Sequence, residues 1–340
     1  MRAAVMRDRK LVVTEVPDPV PGPGNVLVET IACGICGSDL HALKYVDQMK
    51  EAARAAGYPA DLDGDVVMGH EFSARVVELG PGAAGLEAGD IVVSIPLVLT
   101  ADGPAQVGYS PVYAGGYAER MVLSPALCVK VPEGLDPRKA ALTEPMAVGV
   151  HAANKAKMQP GEGAVVVGCG PIGLATIAGL RLLGVETIVA ADFSTARRKL
   201  ATHMGATVTV DPRETPAIDA WTDAAGARTP VIFEAIGVKG MLDEIMIWAP
   251  RNSRIIVAGV CMEPDPIRPM IAVSKELSLH FILGYDPMEF RQTLGYIASG
   301  AIDVAPLITG EVGIAGVPQA FEDLGDPETH AKILVEPALG

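Results

Sequence analysis

The chain has 340 residues, 49% of them hydrophobic and 20% charged, with a formal net charge of −14 and a pI near 4.9. That length points to two domains with enough apolar material to build their cores without disulfides or structural metals. The acidic balance excludes a nucleic-acid-binding surface or an anionic-membrane surface, since either needs a basic patch.

The N-terminus MRAAVMRDRKLVVTEV alternates like a strand and has no apolar leader core, so no signal peptide is expected. KLVVTEV and NVLVETIAC read as β-branched strands, separated by PDPVPGPG, which can continue neither. The second runs into IACGICGSDLH, where Cys33 and Cys36 stand three positions apart. Such a pair looks like half a zinc ribbon or a thiol redox site, but the chain has no second CxxC. YVDQMKEAARAAGYPADLDG is helix-favouring in its middle and turn-rich at its end. FSARVVELG, GDIVVSIP and YAERMVLS continue the strand pattern to about residue 145.

From about Pro145 the pattern changes. AVVVG reads as a short buried strand and PIGLATIAGLRLLG as a helix; TIVAAD is a further strand and STARRKLATHMG a helix with a Ser/Thr start and a Gly stop. VIFEAIG, KGMLDEIMIWAP and RIIVAGV keep the alternation, which is the signature of βαβ units and a parallel sheet. KELSLHFILGY and the helix candidate MEFRQTLGYIASG lead to a closing HAKILVEP. The longest apolar runs are broken by Gly, Pro and Arg, so no membrane span is expected. Five cysteines form an odd, sparse set, which fits a reducing cytoplasm. Cys128, Cys169 and Cys261 sit in apolar contexts and are expected to pack.

AVVVGCGPIGL places Gly168, Gly170 and Gly173 in G-x-G-x-x-G spacing between a strand and a helix. Gly168 permits a tight turn, Gly170 lets backbone approach a pyrophosphate and Gly173 lets the helix pack close to the sheet. The helix start at Pro171 and Ile172 supplies N–H groups to the phosphates. Asp192 follows the last glycine by 19 positions, where a carboxylate binds ribose hydroxyls and repels a 2′-phosphate. NAD is therefore expected rather than NADP. Arg197 joins the candidate cofactor residues, although with Arg198 it also reads as a solvated helix face.

MGHEFSARVVELG puts His70 and Glu71 side by side, 34 residues after Cys36, and LTEPMAVGVHAA contributes Glu144. Thiolate, imidazole and carboxylate are suitable zinc ligands, and a catalytic zinc keeps one position open. GICGSDLH, GHEFSARVVELG, EPMAVGVHA and GCGPIGL occur here in the order and at the distances found in the zinc-dependent medium-chain alcohol dehydrogenases. The chain resembles especially the sorbitol, butanediol and threonine dehydrogenase branch, over essentially its whole length. The resemblance implies an α/β chain with a GroES-like β-rich catalytic domain at 1–145 and 285–340. It implies a doubly wound Rossmann domain for NAD at 146–284.

Carried over by position, Cys36 and His70 are zinc ligands, and either Glu71 or Glu144 is the third, with the other close by. Asp39 matches the carboxylate that orients the histidine ligand, and Ser38 and His41 match the proton relay. Cys33 has no ligand role and is expected to pack. Many relatives hold a second, structural zinc in a four-cysteine lobe, but GDIVVSIPLVLTADGPAQVGYSPVYAGGYAERMVLS has no cysteine, so one catalytic zinc per chain is expected.

The activity implied is hydride transfer between a secondary alcohol, diol or polyol, or the matching ketone, and NAD. The alternative is a zinc-free quinone or enone reductase of the same fold. Tyr45, Tyr58, Tyr109, Tyr113 and Tyr117 are candidates for shaping the substrate pocket. KELSLHFILGY resembles the terminal strand that pairs across subunits in relatives, implying a homodimer or homotetramer.

Overall fold

The computed structural model describes residues 1–57 and 61–340; Tyr58 lies outside them. Two sheets organise the chain. In the first, the order is Cys128–Lys130, Ile91–Ser94, Glu71–Leu79, Val26–Gly34, Lys332–Val335 and Ile308–Val312, with Arg120–Leu123 also paired to Val26–Gly34. The C-terminal strands thus return to complete the sheet begun by the N-terminal ones. Register matters here: Gly34 faces Glu71 on one side and Leu334 on the other. A Cβ at Gly34 would collide with the Glu71 carboxylate, so this strand end must be glycine.

The second sheet has six strands, all parallel, in the order Val208–Val210, Ile188–Ala191, Ala164–Val167, Val231–Glu234, Arg254–Val257 and Ser278–Phe281. This is the doubly wound arrangement, with its switch point beside Ala164–Val167, where a ligand crevice opens at the strand ends. The glycine fingerprint follows that strand directly. Ser194 caps the helix Thr195–Met204, its side chain accepting from the Arg197 N–H, and Gly205 ends that helix at φ 113°.

The helix Thr143–Lys155 joins the two units and did not stand out in the sequence, because Pro145 and Gly149 both disfavour helix interiors. Pro145 falls in the first turn, where no intrahelical N–H bond is lost. Gly149 lies where the helix crosses Pro171–Leu182, and a Cβ there would strike Ala175. One apolar cluster runs from Ala32 and Leu334 of the first sheet to Val166, Phe233 and Ile256 of the second, so the two units share a core. The expected divide at 145/146 falls inside this helix, not in a linker.

In place of a cysteine lobe, Leu97–Thr100 and Gly103–Gln106 form a short hairpin with Val98 buried. Cys128 and Cys169 are buried, but Cys261 is only half-buried, in the loop after Arg254–Val257, against the packing expectation. No helix among the described residues is long and apolar enough to cross a membrane.

Candidate metal and dinucleotide site

Cys36 is the N-cap of the helix Gly37–Lys44, in extended conformation, and its N–H donates to Asp39 Oδ2 at 3.2 Å. His70 follows Gly69, whose φ of 99° makes the turn into the strand Glu71–Leu79. A Cβ on Gly69 would strike Tyr117 and the Cys33 sulfur, so this turn is packed tight. Cys33 is buried between Gly69 and Gly116, and burial pushes its thiol well up. Cys36 is only half-buried. The spacing that suggested a cysteine pair therefore separates a packed thiol from an accessible one.

Cys36 Sγ, a His70 ring nitrogen and a Glu71 carboxylate oxygen all lie within 4.8 Å of one another. His70 Nδ1 stands 3.4 Å from Asp39 Oδ1, close enough for charge attraction but without hydrogen-bond geometry. Its Nε2 is 3.5 Å from Ser38 Oγ. Burial alone would depress the His70 pKa, but Asp39 and Cys36 beside it lift it well above the ordinary histidine value. The donor set of one thiol, one imidazole and carboxylate oxygens suits zinc.

Asp39 is fully buried; burial would raise its carboxyl, but His70 and two tyrosine hydroxyls hold it below the usual range. Tyr117 donates to Oδ2 at 2.6 Å. The Tyr109 hydroxyl is 2.8 Å from Oδ1 and 2.9 Å from Ser38 Oγ. A phenol has one proton, and the carboxylate is the stronger acceptor, so the Ser38 hydroxyl donates to Tyr109 and keeps its lone pairs for the cleft. His41, one turn beyond Ser38, is half-buried, and burial together with Lys44 lowers its pKa.

The two candidate carboxylates differ. Glu71 is fully buried and lies under Lys332, whose Nζ donates to Oε1 at 2.8 Å and Oε2 at 2.6 Å, and to the Ile35 carbonyl at 2.9 Å. Glu144, in the first turn of its helix, lies outside the close trio but is near enough to feel both His70 and Glu71. Burial raises its carboxyl to about 7, and the Tyr285 hydroxyl bonds it. Lys332, Tyr117 and Tyr285 were not assigned these roles from sequence. The one local signal was a lysine opening the apolar strand KILV.

In the fingerprint, Gly168 has φ 95° and a Cβ there would sit 2.6 Å from Ile236 Cγ1. A Cβ on Gly173 would strike the Gly168 carbonyl, whereas Gly170 has no atom within 4 Å of that position. The first and third glycines are thus demanded by the fold, and the second leaves open space at the helix start, with Pro171 and Ile172 next in the first turn. Asp192 stands at the end of Ile188–Ala191 and accepts N–H groups from Cys169 at 2.7 Å and Ser194 at 2.8 Å. Each oxygen of the carboxylate retains further acceptor capacity. Arg197 has a buried Nε without a partner. Arg198 is not a solvated face: it donates to the carbonyls of Asp192 and Phe193 at 2.7 and 2.8 Å.

A second metal-like group, His151, Asp286 and Glu289, is consumed by structure. His151 Nδ1 is 2.6 Å from Glu289, Asn154 donates to Glu289 at 2.8 Å, and Asp286 caps the helix Pro287–Ala298. These contacts strap that helix to Thr143–Lys155.

Residues 22–133 match the family model described as alcohol dehydrogenase GroES-like domain, and residues 171–299 the one described as zinc-binding dehydrogenase. The (R,R)-butanediol dehydrogenase of Bacillus subtilis is 30% identical, over 99% of this chain and 100% of its own. Among solved structures, 2R,3R-butanediol dehydrogenase from Bacillus subtilis superposes with a TM-score of 0.84 at 28% identity, covering 99% of both chains. A Sinorhizobium meliloti structure titled as a zinc-binding dehydrogenase bound to NADP gives 0.83 at 26%, again covering 99% of both.

Replacing Lys332 by Met leaves Glu71 buried without its counter-charge. The unfolding free energy is expected to fall by about 3–5 kcal/mol, read as a lower urea midpoint at unchanged slope, and to recover in part when Glu71→Gln is added. An unchanged midpoint for Lys332→Met contradicts the role given to this pair.

Proposed function

The chain belongs to the zinc-dependent medium-chain dehydrogenase family, and from that premise we propose that it is an oxidoreductase moving a hydride between a secondary alcohol, diol or polyol, or the matching ketone, and NAD. The observation that carries this reading is the convergence of Cys36, His70 and Glu71 within 4.8 Å. It favours zinc over a zinc-free quinone or enone reductase, which needs no such donor set. Cys36 and His70 hold the ion, Glu71 is the third donor, and Glu144 faces the same space. We assign one zinc per chain, because the hairpin segment that stands where relatives carry a structural zinc has no cysteine.

Bound there, zinc supplies a Lewis acid that brings alcohol deprotonation within reach of neutral pH, and the nicotinamide supplies the hydride acceptor. The protein's own groups do the rest. Ser38 Oγ relays the alcohol proton: it takes that proton as its own hydroxyl hydrogen leaves Tyr109 and passes on toward His41, one turn along the helix. His41, with its lowered pKa, is neutral at pH 7 and able to take a proton toward solvent. Glu144, its carboxyl raised to about 7 near His70 and Glu71, is able to hold or release a proton at that end of the site. Asp39 keeps His70 oriented. Gly168, Gly170, Pro171, Ile172 and Gly173 seat the pyrophosphate, while Asp192 and Arg197 take the adenosine ribose.

Residues 1–145 and 285–340 form the catalytic unit and 146–284 the dinucleotide unit in this reading. The five free cysteines support a cytoplasmic protein. Ser278–Phe281 is an edge strand, with Phe281 69% and Leu283 87% exposed. An uncovered edge of this kind supports pairing with a second copy, giving a homodimer or homotetramer.

Screening NAD⁺ reduction across polyols, vicinal diols and cyclic secondary alcohols should find a substrate, with activity abolished by a chelator. Cys36→Ser and His70→Ala should each lower turnover by about a hundredfold or more while NADH still binds. Parental turnover in both variants would refute the metal assignment. In light scattering at micromolar concentration the protein should run as a dimer or tetramer, and a single monomeric species contradicts the edge-strand assignment.

A further inference from the structure

The helix Thr195–Met204 begins three residues after Asp192, where the adenosine ribose lies in the function proposed above. The free N–H groups and positive dipole end of such a helix would ordinarily form a seat for a 2′-phosphate. Here every one of them has an internal acceptor. The Ser194 N–H donates to Asp192 Oδ1 at 2.8 Å and the Arg197 N–H to Ser194 Oγ at 3.1 Å. The two between them go to one carboxylate: Thr195 N–H to Glu328 Oε1 at 2.9 Å and Ala196 N–H to Glu328 Oε2 at 3.3 Å.

Glu328 comes from the far end of the chain, in the loop between the helix Val317–Asp323 and the strand Lys332–Val335. That loop is braced: the Glu328 N–H and Thr329 hydroxyl both donate to Asp326, and Ser194 Oγ donates to the Pro327 carbonyl at 3.0 Å. Of the three nearby arginines, Arg197 has a buried Nε without a partner, and the other two are committed. Arg198 serves the carbonyls of Asp192 and Phe193 and lies 3.3 Å from Asp211. Arg213 pairs with Asp211 and donates to the Phe193 carbonyl at 3.1 Å.

We propose that Glu328 is a specificity-determining residue: it fills the anion seat beside the ribose and so keeps out dinucleotides that carry a 2′-phosphate. Asp192 repels such a phosphate from the strand side, and Glu328 removes the backbone donors that would offset that repulsion. A phosphate entering here meets two carboxylates, no free N–H in the first turn and two arginines turned to other partners, which leaves Arg197, of the three, as the uncommitted cation against both carboxylates. A dinucleotide with a free 2′-hydroxyl needs none of these groups beyond Asp192. The inference rests on the assignment of the fingerprint to NAD.

Binding of NADH and NADPH to the zinc-loaded protein, followed by nicotinamide fluorescence, tests it without turnover. The parent should bind NADH more tightly. In Glu328→Ala the ratio of NADPH to NADH affinity should rise about tenfold or more, and Glu328→Gln, which keeps the shape without the charge, should also raise it. A ratio unchanged within about twofold in Glu328→Ala, in a variant that melts as a folded protein and still binds NADH, overturns the role of Glu328 and leaves the NAD assignment standing. A parent that prefers NADPH, or binds neither nucleotide, overturns the NAD assignment itself and the inference with it.

Discussion

The buried ion pair of Glu71 and Lys332 sets the spacing of the site. Lys332 lies on the C-terminal strand that closes the first sheet, and Glu71 opens the strand after His70. The same ammonium also holds the carbonyl of Ile35, the residue before Cys36. One cation therefore fixes the backbone next to the thiol and the residue next to the imidazole. Burying both charges carries a desolvation cost that an apolar pair would avoid, so the pair is better explained by position than by stability. Gly34 belongs to the same constraint, since its missing side chain is where the Glu71 carboxylate lies.

A second buried network rests on Asp39. Its two oxygens collect the Cys36 N–H and the hydroxyls of Tyr109 and Tyr117, and His70 faces it at 3.4 Å. A carboxylate satisfied from three directions stays ionised in a dry setting and holds its neighbours in register. Both tyrosines come from the stretch that follows the short hairpin. That stretch thus contributes to the site through phenols, one of which orients Ser38.

Much of this was legible in the sequence because it is local. The glycine fingerprint is a short word whose geometry follows from its spacing and context, while the roles of Cys36, Asp39 and His70 came from the resemblance of GICGSDLH and GHEFSARVVELG to a known family. The alternation of strands and helices after residue 145 foretold the parallel sheet. Lys332, Tyr117, Tyr285 and Glu328 were not legible, because each acts on a partner far away in the chain and only the fold brings them together. The helix Thr143–Lys155 was hidden by Pro145 and Gly149, two helix breakers placed where a first turn and a tight helix crossing accept them. Arg198, read as part of a solvated helix face, instead folds its guanidinium back onto the carbonyls of Asp192 and Phe193.

The central claim is that a single accessible thiol, with one imidazole and carboxylate oxygen, holds one zinc, and that Cys33 takes no part. X-ray absorption at the zinc edge of the metal-loaded protein measures this directly. The account predicts one sulfur at about 2.3 Å, the remaining donors nitrogen or oxygen at about 2.0–2.2 Å, and one zinc per chain. Two sulfurs in the shell would restore the Cys33–Cys36 pair as the ligand set, and none would remove Cys36; either result contradicts the account.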